Sequence, residues 1–112
     1  MNKYGAQKTV INGHRFDSKH EAERYIELMY LERIGAVKDL QLQRKYTLIG
    51  PQKNEKGKVI EKPVTYFADF VYTDEHGSTV VEDAKSPATR TPAYVIKRKL
   101  MLSIYGIRIK EV

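Results

Sequence analysis

Two places in this 112-residue chain set acids among apolar neighbours: Ala68-Asp69-Phe70, and Val80-Val81-Glu82-Asp83-Ala84-Lys85. The segments that hold them, Val64 to Thr73 and Thr79 to Lys85, are rich in β-formers. Between them, Asp74-Glu75-His76-Gly77 has the Asp-first, Gly-fourth pattern of a type I turn. With Gly77 as the left-handed residue of a bulge, the loop is Glu75, His76 and Gly77, and Asp74 faces Ser78. The pairing then runs on to set Asp69 against Asp83; a loop one residue longer would set Asp69 against Glu82. Directly opposed side chains have Cβ atoms about 4.5–5.5 Å apart, where like charges are destabilising. Either one carboxyl keeps its proton, or a cation sits between the two.

A hard divalent ion such as Mg2+ suits paired carboxylates, keeping several waters and taking phosphate oxygens as further ligands. Lys85 lies two residues after Asp83 and so points to the same side of the strand. Two acids with a lysine beside them form a layout for phosphodiester hydrolysis. The metal takes the phosphate and lowers the pKa of an attacking water, while the ammonium positions that water or offsets developing charge. A plainer role for Asp83 and Lys85 is a salt pair at a strand end, worth under about 1 kcal/mol when exposed. The tripeptide says little alone, since Asp17-Ser18-Lys19 has the same form. A third candidate acid, Glu21, has two roles open to it. Ser18-Lys19-His20-Glu21 fits a capping box, and Glu21 also borders an apolar stripe from which it can lean toward the sheet.

The elements that would position these groups follow from local pattern. Asn12-Gly13 between Thr9-Val10-Ile11 and His14-Arg15-Phe16 predicts a short hairpin, because both central residues of its turn need φ > 0. A helix follows from an N-cap at Ser18 to Gly35, with Ala22, Tyr25, Ile26, Met29 and Arg33/Ile34 as its inner stripe. Asp39 to Ile49 alternates and predicts a strand. Gly50 to Lys62 is polar and broken by Pro51 and Gly57, which suits an extended hairpin arm better than a domain boundary. Val64 to Thr73 carries Phe67 and Val71 on one face and Tyr66, Phe70 and Tyr72 on the other, as a strand covered on both sides would. Thr91-Pro92 opens a second helix with Ala93, Ile96, Leu100 and Ile104 as its stripe. Gly106 ends it, and Ile107 to Val112 alternates as a last strand.

Composition bounds the rest. Leu, Ile, Val and Phe make up a quarter of the chain, enough for one folded domain over residues 1–112. No cysteine is present, which removes disulfide scaffolds and Cys-ligated zinc. No apolar run approaches a membrane span, and the first residues lack a secretory leader, so a cytoplasmic protein is expected. The net charge of +6 favours a polyanionic partner. Arg90, Lys97, Arg98 and Lys99 would supply salt-sensitive backbone contacts to nucleic acid, although each alone reads as solvated surface. Tyr94 and Tyr105 read as core or rim. His14, His20 and His76 share no ligand spacing, and His20-Glu21 lacks the second His of a zinc-protease motif, with Arg24 in its place.

The order helix with Glu21, strand, strand with Asp69, strand with Asp83-Ala84-Lys85, helix, strand resembles the PD-(D/E)xK nuclease superfamily. More closely, Phe16-Asp17-Ser18-Lys19-His20-Glu21-Ala22-Glu23, Tyr66-Phe67-Ala68-Asp69-Phe70-Val71-Tyr72 and Val80-Val81-Glu82-Asp83-Ala84-Lys85 look like a family of small phage-borne endonuclease-like proteins. These are similar in turn to Holliday-junction resolvases, and the likeness runs from about Lys3 to Val112. It implies a restriction-endonuclease-like α/β fold, a mixed sheet with a helix-strand-strand-strand-helix-strand core after the N-terminal hairpin. It also implies that Asp69, Asp83 and the Ala84 carbonyl ligate Mg2+ or Mn2+, with Glu21 or Glu82 as a further ligand. Lys85 would be the catalytic lysine and Glu21 the helix acid. Ala68 stands where the superfamily's naming proline would be, and only Asp83 has the two-residue spacing to Lys85.

The expected activity is therefore metal-dependent DNA endonuclease action on branched or recombination-intermediate DNA, in a bacterial cytoplasm if phage-borne. Symmetric junction cutting would need a homodimer. The rival is a non-catalytic nucleic-acid-binding module on the same fold, and a basic structural protein is a third possibility.

Overall fold

The computed structural model describes residues 8–112; the expectations of a leaderless N-terminus and of a likeness beginning near Lys3 fall partly outside them. β1 (Thr9–Ile11) and β2 (His14–Phe16) form the predicted hairpin, with Asn12 at φ 51° and Gly13 at φ 80°. α1 (Lys19–Arg33) begins at Ser18, whose hydroxyl accepts the Glu21 N–H. β3 (Lys38–Ile49) follows. β4 (Gln52–Lys53) and β5 (Val59–Glu61) then make a two-stranded antiparallel arm, exposed along its length. The Asn54 side chain holds the arm's tip by accepting from the Lys56 and Lys58 amides.

β6 (Val64–Thr73) and β7 (Thr79–Asp83) are joined by the expected turn. The Asp74 N–H donates to the Ser78 carbonyl, and the register runs Thr73 opposite Thr79 to Phe70 opposite Glu82. α2 (Pro92–Tyr105) is capped by Thr91 and stopped by left-handed Gly106 at φ 67°. It crosses over to β8 (Lys110–Glu111), which pairs parallel with β7, since parallel neighbours cannot be joined by a tight turn. The strand order β3-β6-β7-β8 makes a mixed four-stranded sheet with a helix on each face. Among the described residues no helix is long and apolar enough to cross a membrane.

Each helix turns inward on only part of the stripe predicted. α1 buries the expected Ala22 and Tyr25, with Met29 partly buried, but adds Leu28 and leaves Ile26 and Ile34 exposed. α2 buries Tyr94 and Met101, with Val95 and Leu100 partly buried and Ile96 and Ile104 exposed. Each helix is apolar on more than one side, so periodicity alone offered several stripes and the sheet selected one. β8 is also shorter than the predicted Ile107–Val112 strand.

The faces of the two longest strands hold a further surprise. Tyr46, Leu48, Tyr66 and Ala68 pack in the cluster under α2, whereas Leu40, Leu42, Phe70 and Tyr72 pack in the cluster under α1. All eight are even-numbered, and a regular strand would keep them on one side. The β3–β6 register is the same before and after the change, so no residue has been inserted. The switch falls at Gln43 and Asp69. Gln43 lies in the left-handed region at φ 51°, where the strand's alternation is broken. The predicted grouping of Tyr66 with Phe70 and Tyr72 is corrected accordingly, and Phe67 is 51% exposed.

Candidate active site

Glu82 and Asp83 end the apolar run of β7 and, as consecutive strand residues, point to opposite faces. Glu82 goes to the α1 side. There Arg24 grips it with two bonds, Nε to Oε1 at 2.8 Å and Nη2 to Oε2 at 2.7 Å, and the Tyr72 hydroxyl donates to it as well. The bond to Glu82 is the main force holding the Arg24 guanidinium protonated well above its ordinary range. Glu82 is thereby fully used, and its place as a possible metal ligand is corrected: it faces away from Asp69 and already has its cation.

Asp83 is only 2% exposed and faces the α2 side. The Tyr66 hydroxyl donates to its Oδ2, and the Lys85 Nζ stands 3.1 Å from its Oδ1. The carboxyl of Asp69 is within hydrogen-bond reach. Burial first, and then the hydrogen bond and charge of Asp69, push the Asp83 carboxyl up to about 7, against the pull of Tyr66 and Lys85. Burial also raises Asp69, helped by the neighbouring Glu21. Of the two carboxyls, Asp83 thus keeps its proton to a higher pH than an ordinary carboxyl does, in keeping with the first of the two compensations that their opposition in the hairpin required.

Asp69 sits at the switch point of the sheet. Gln43, directly across on β3, donates Nε2 to its Oδ1 at 3.0 Å, and the Ala84 amide donates to its Oδ2 at 2.9 Å. Glu21 completes the acidic group from α1. Its Oε1 accepts from the Asp17 amide at 3.3 Å while its carboxyl reaches Asp69. It therefore takes both roles left open by its spacing, except that the reciprocal cap goes to Asp17 rather than Ser18.

Lys85 is held from two directions. Its ammonium lies 4.2 Å from the centre of the Tyr94 ring as well as beside Asp83. The Tyr94 hydroxyl in turn donates to Glu111 Oε2 at 2.8 Å. Arg98 reaches the same oxygen at 3.0 Å and Arg90 reaches Oε1 at 2.8 Å. Although burial works against it, Glu111 is drawn down to about 2 by these bonds from Tyr94, Arg98 and Arg90. Arg90 and Arg98 are therefore tied into the frame behind Lys85. Lys97 is half-buried on α2, and Lys99 is exposed beside a cleft of about 500 Å3 shared with Arg98 and Arg108.

The structure brings together Glu21, Asp69, Asp83, Ala84 and Lys85 from three separate stretches of sequence. Gln43, Tyr66, Tyr94 and Glu111 join them without having been foreseen. For Gln43 a signal existed, because pairing the two strands around the Gly50–Lys62 arm puts it opposite Asp69. For the two tyrosines none did, since an aromatic on a β-rich or helical stripe reads as core.

Among the described residues no group of three His, Asp or Glu side chains is arranged to hold a metal ion. What is present is a pair of carboxyls, Asp83 buried and Asp69 partly buried, that repel unless a positive species lies between them. That donor set fits a hard divalent ion such as Mg2+, which is usually held by one or two carboxylates and fills its other positions with water and phosphate oxygen. A protein family described as "Protein of unknown function (DUF1064)" matches residues 1–110. No curated protein and no solved structure matches the chain.

Proposed function

The chain belongs to the DUF1064 family, whose function is unknown, and we propose that it is a metal-dependent DNA endonuclease of the PD-(D/E)xK type. The observation that carries this is the opposition of the buried Asp83 and the partly buried Asp69, with the Lys85 ammonium 3.1 Å from Asp83. The order of elements supports a restriction-endonuclease-like core: a helix with Glu21, antiparallel strands bearing Asp69 and Asp83, then a helix and a parallel strand.

Asp69 and Asp83 would hold Mg2+ or Mn2+, with the main-chain carbonyl of Ala84 as a neutral third donor. When bound, the ion supplies Lewis-acid polarisation of a phosphate oxygen and a coordinated water of lowered pKa. Because metal ligands must be deprotonated, the raised pKa of Asp83 would make cation binding there depend on pH. Gln43 and the Ala84 amide keep Asp69 aimed. Lys85, held beside Asp83 and over the Tyr94 ring, would place its charge next to the scissile phosphate and offset the negative charge that develops there. Tyr94 keeps that ammonium from swinging into solvent. Glu21 adds negative charge behind Asp69 and favours cation capture.

The test is incubation of branched and linear DNA with and without Mg2+ or Mn2+. Strand cutting is expected only with the ion, and both Asp83→Ala and Lys85→Ala abolish it. Cutting in EDTA, or full activity in both variants, refutes the assignment. A non-catalytic binding module would instead show salt-sensitive DNA affinity, indifferent to Asp83→Ala, and no cutting under any ion.

A further inference from the structure

α1 covers only the part of the sheet that carries Leu40, Leu42, Phe70 and Tyr72. Beyond the switch at Gln43 and Asp69 the same side of the sheet continues without a helix from the described residues over it. By alternation from the buried Tyr46, Leu48, Tyr66 and Ala68, it presents Lys45 and Thr47 on β3 and Thr65 and Phe67 on β6. Lys45 lies directly opposite Phe67, and Thr47 opposite Thr65. Phe67 is 51% exposed and stands two residues before Asp69. The face leads outward to the β4–β5 arm, where Gln52 to Lys62 carries four lysines against two glutamates, all exposed.

Resting on the assignment of the acid pair above, we infer that this open face binds an unpaired DNA strand, with a base stacked on Phe67 and the backbone against Lys45 and the arm lysines. An aromatic ring beside a lysine is how proteins grip single strands without reading sequence: the ring takes any base and the cation takes the phosphate. A regular duplex keeps its bases stacked inside and has none to offer Phe67. The substrate class is thus DNA with a splayed or single-stranded segment next to the bond that is cut. Positive charge argues against a second copy of this chain as the occupant, because two such faces would repel.

The chain has no tryptophan, so Phe67→Trp places one fluorophore on this face. Titrated in EDTA with an oligo-dT strand, that tryptophan should be quenched, while a blunt duplex leaves its emission unchanged. Phe67→Ala should weaken binding of a fluorescein-labelled oligo-dT strand about tenfold and leave duplex binding as in the wild type. Lys45→Ala should weaken both and lower the salt slope by about one ion. Because Phe67 is half-exposed, its variants keep the fold, which a thermal melt verifies. Unchanged tryptophan emission at saturating strand, or equal loss on strand and duplex, overturns the stacking. So does a Phe67→Ala variant that turns a dimer into a monomer on sedimentation with its strand affinity intact. A quench in a protein that never cuts DNA keeps this face and removes the nuclease assignment; cutting without a quench does the reverse.

Discussion

Glu82 and Asp83 are consecutive on β7 and are 0% and 2% exposed, yet they meet burial in different ways on the two sides of the sheet. On the α1 side, Glu82 has a dedicated cation in Arg24, with two short bonds, a tyrosine hydroxyl, and the Lys110 ammonium 4.0 Å away. On the α2 side, Asp83 meets another acid, and its one cation, Lys85, is shared with the Tyr94 ring. A closed network of charge costs little more once formed and has no spare capacity. An open one is strained without a further positive species and has room for it. Burial alone therefore does not identify a functional acid; whether its charge is already matched does.

The sharpest way to break this contrast is to neutralise each acid's environment in turn. Asp83→Asn should lower cutting by about a thousandfold or more, equivalent to roughly 4 kcal/mol of lost transition-state stabilisation. Its denaturation midpoint without metal should stay the same or rise, because a repulsive contact has gone. A large loss of stability in Asp83→Asn would mean that the α2 side is as closed as the α1 side.

Arg24→Ala should do the opposite. It leaves buried Glu82 with only the more distant Lys110 ammonium, 4.0 Å from its Oε2, which costs up to about 3–5 kcal/mol in chemical denaturation. In a domain of ordinary stability that consumes much of the total. Cutting by whatever fraction stays folded should be close to normal, since Arg24 touches no part of the acid pair. Unchanged stability would show that the network gives the fold nothing.

A smaller effect lies in pH. The Asp83 carboxyl is raised to about 7 from the ordinary carboxylate range, so the folded protein binds its proton more tightly than the unfolded chain does. The stability this gives is fully present below about pH 4 and is lost as pH rises through about 7. Asp69 is shifted the same way. Glu111, drawn down to about 2, acts only at lower pH and with the opposite sign. The metal-free protein should therefore melt at a lower temperature at pH 8 than at pH 5. Added Mg2+ should restore more at pH 8, where the proton no longer competes. Asp83→Asn should flatten both trends, and a Mg2+ effect equal at the two pH values would contradict a cation site at this pair.

Much of this contrast was legible in the sequence. The Asp74–Gly77 turn fixed the register, and with it the choice of Asp83 over Glu82 as the neighbour of Asp69. The Asn12-Gly13 hairpin, both helix starts and the arm followed from local turn and cap chemistry, in which each residue's own backbone preference decides. The inner stripes of the helices were legible only in part, as Ala22, Tyr25 and Leu100, because Ile26 and Leu28, or Ile96 and Met101, are equally apolar and only the sheet distinguishes them. Arg24 as the partner of Glu82 was not either. The two are far apart in sequence, and α1 gave no sign of which charged residue would turn inward.

The smallest predicted effect concerns the hinge between the two sides. Gln43 is held at φ 51°, a conformation that costs a side-chain-bearing residue roughly 1–2 kcal/mol and costs glycine almost nothing. In an ordinary strand, glycine is less stable than alanine by about 0.5–1 kcal/mol, because it loses more freedom on folding. Gln43→Gly and Gln43→Ala both lose the bond to Asp69, so comparing them isolates the backbone. Glycine should be the more stable of the two by up to about 1 kcal/mol, reversing the strand rule. The usual order would mean that position 43 relaxes to regular β geometry. The even residues of β3 could not then serve both clusters, and Asp69 would lose its place where the α1 side of the sheet meets the α2 side.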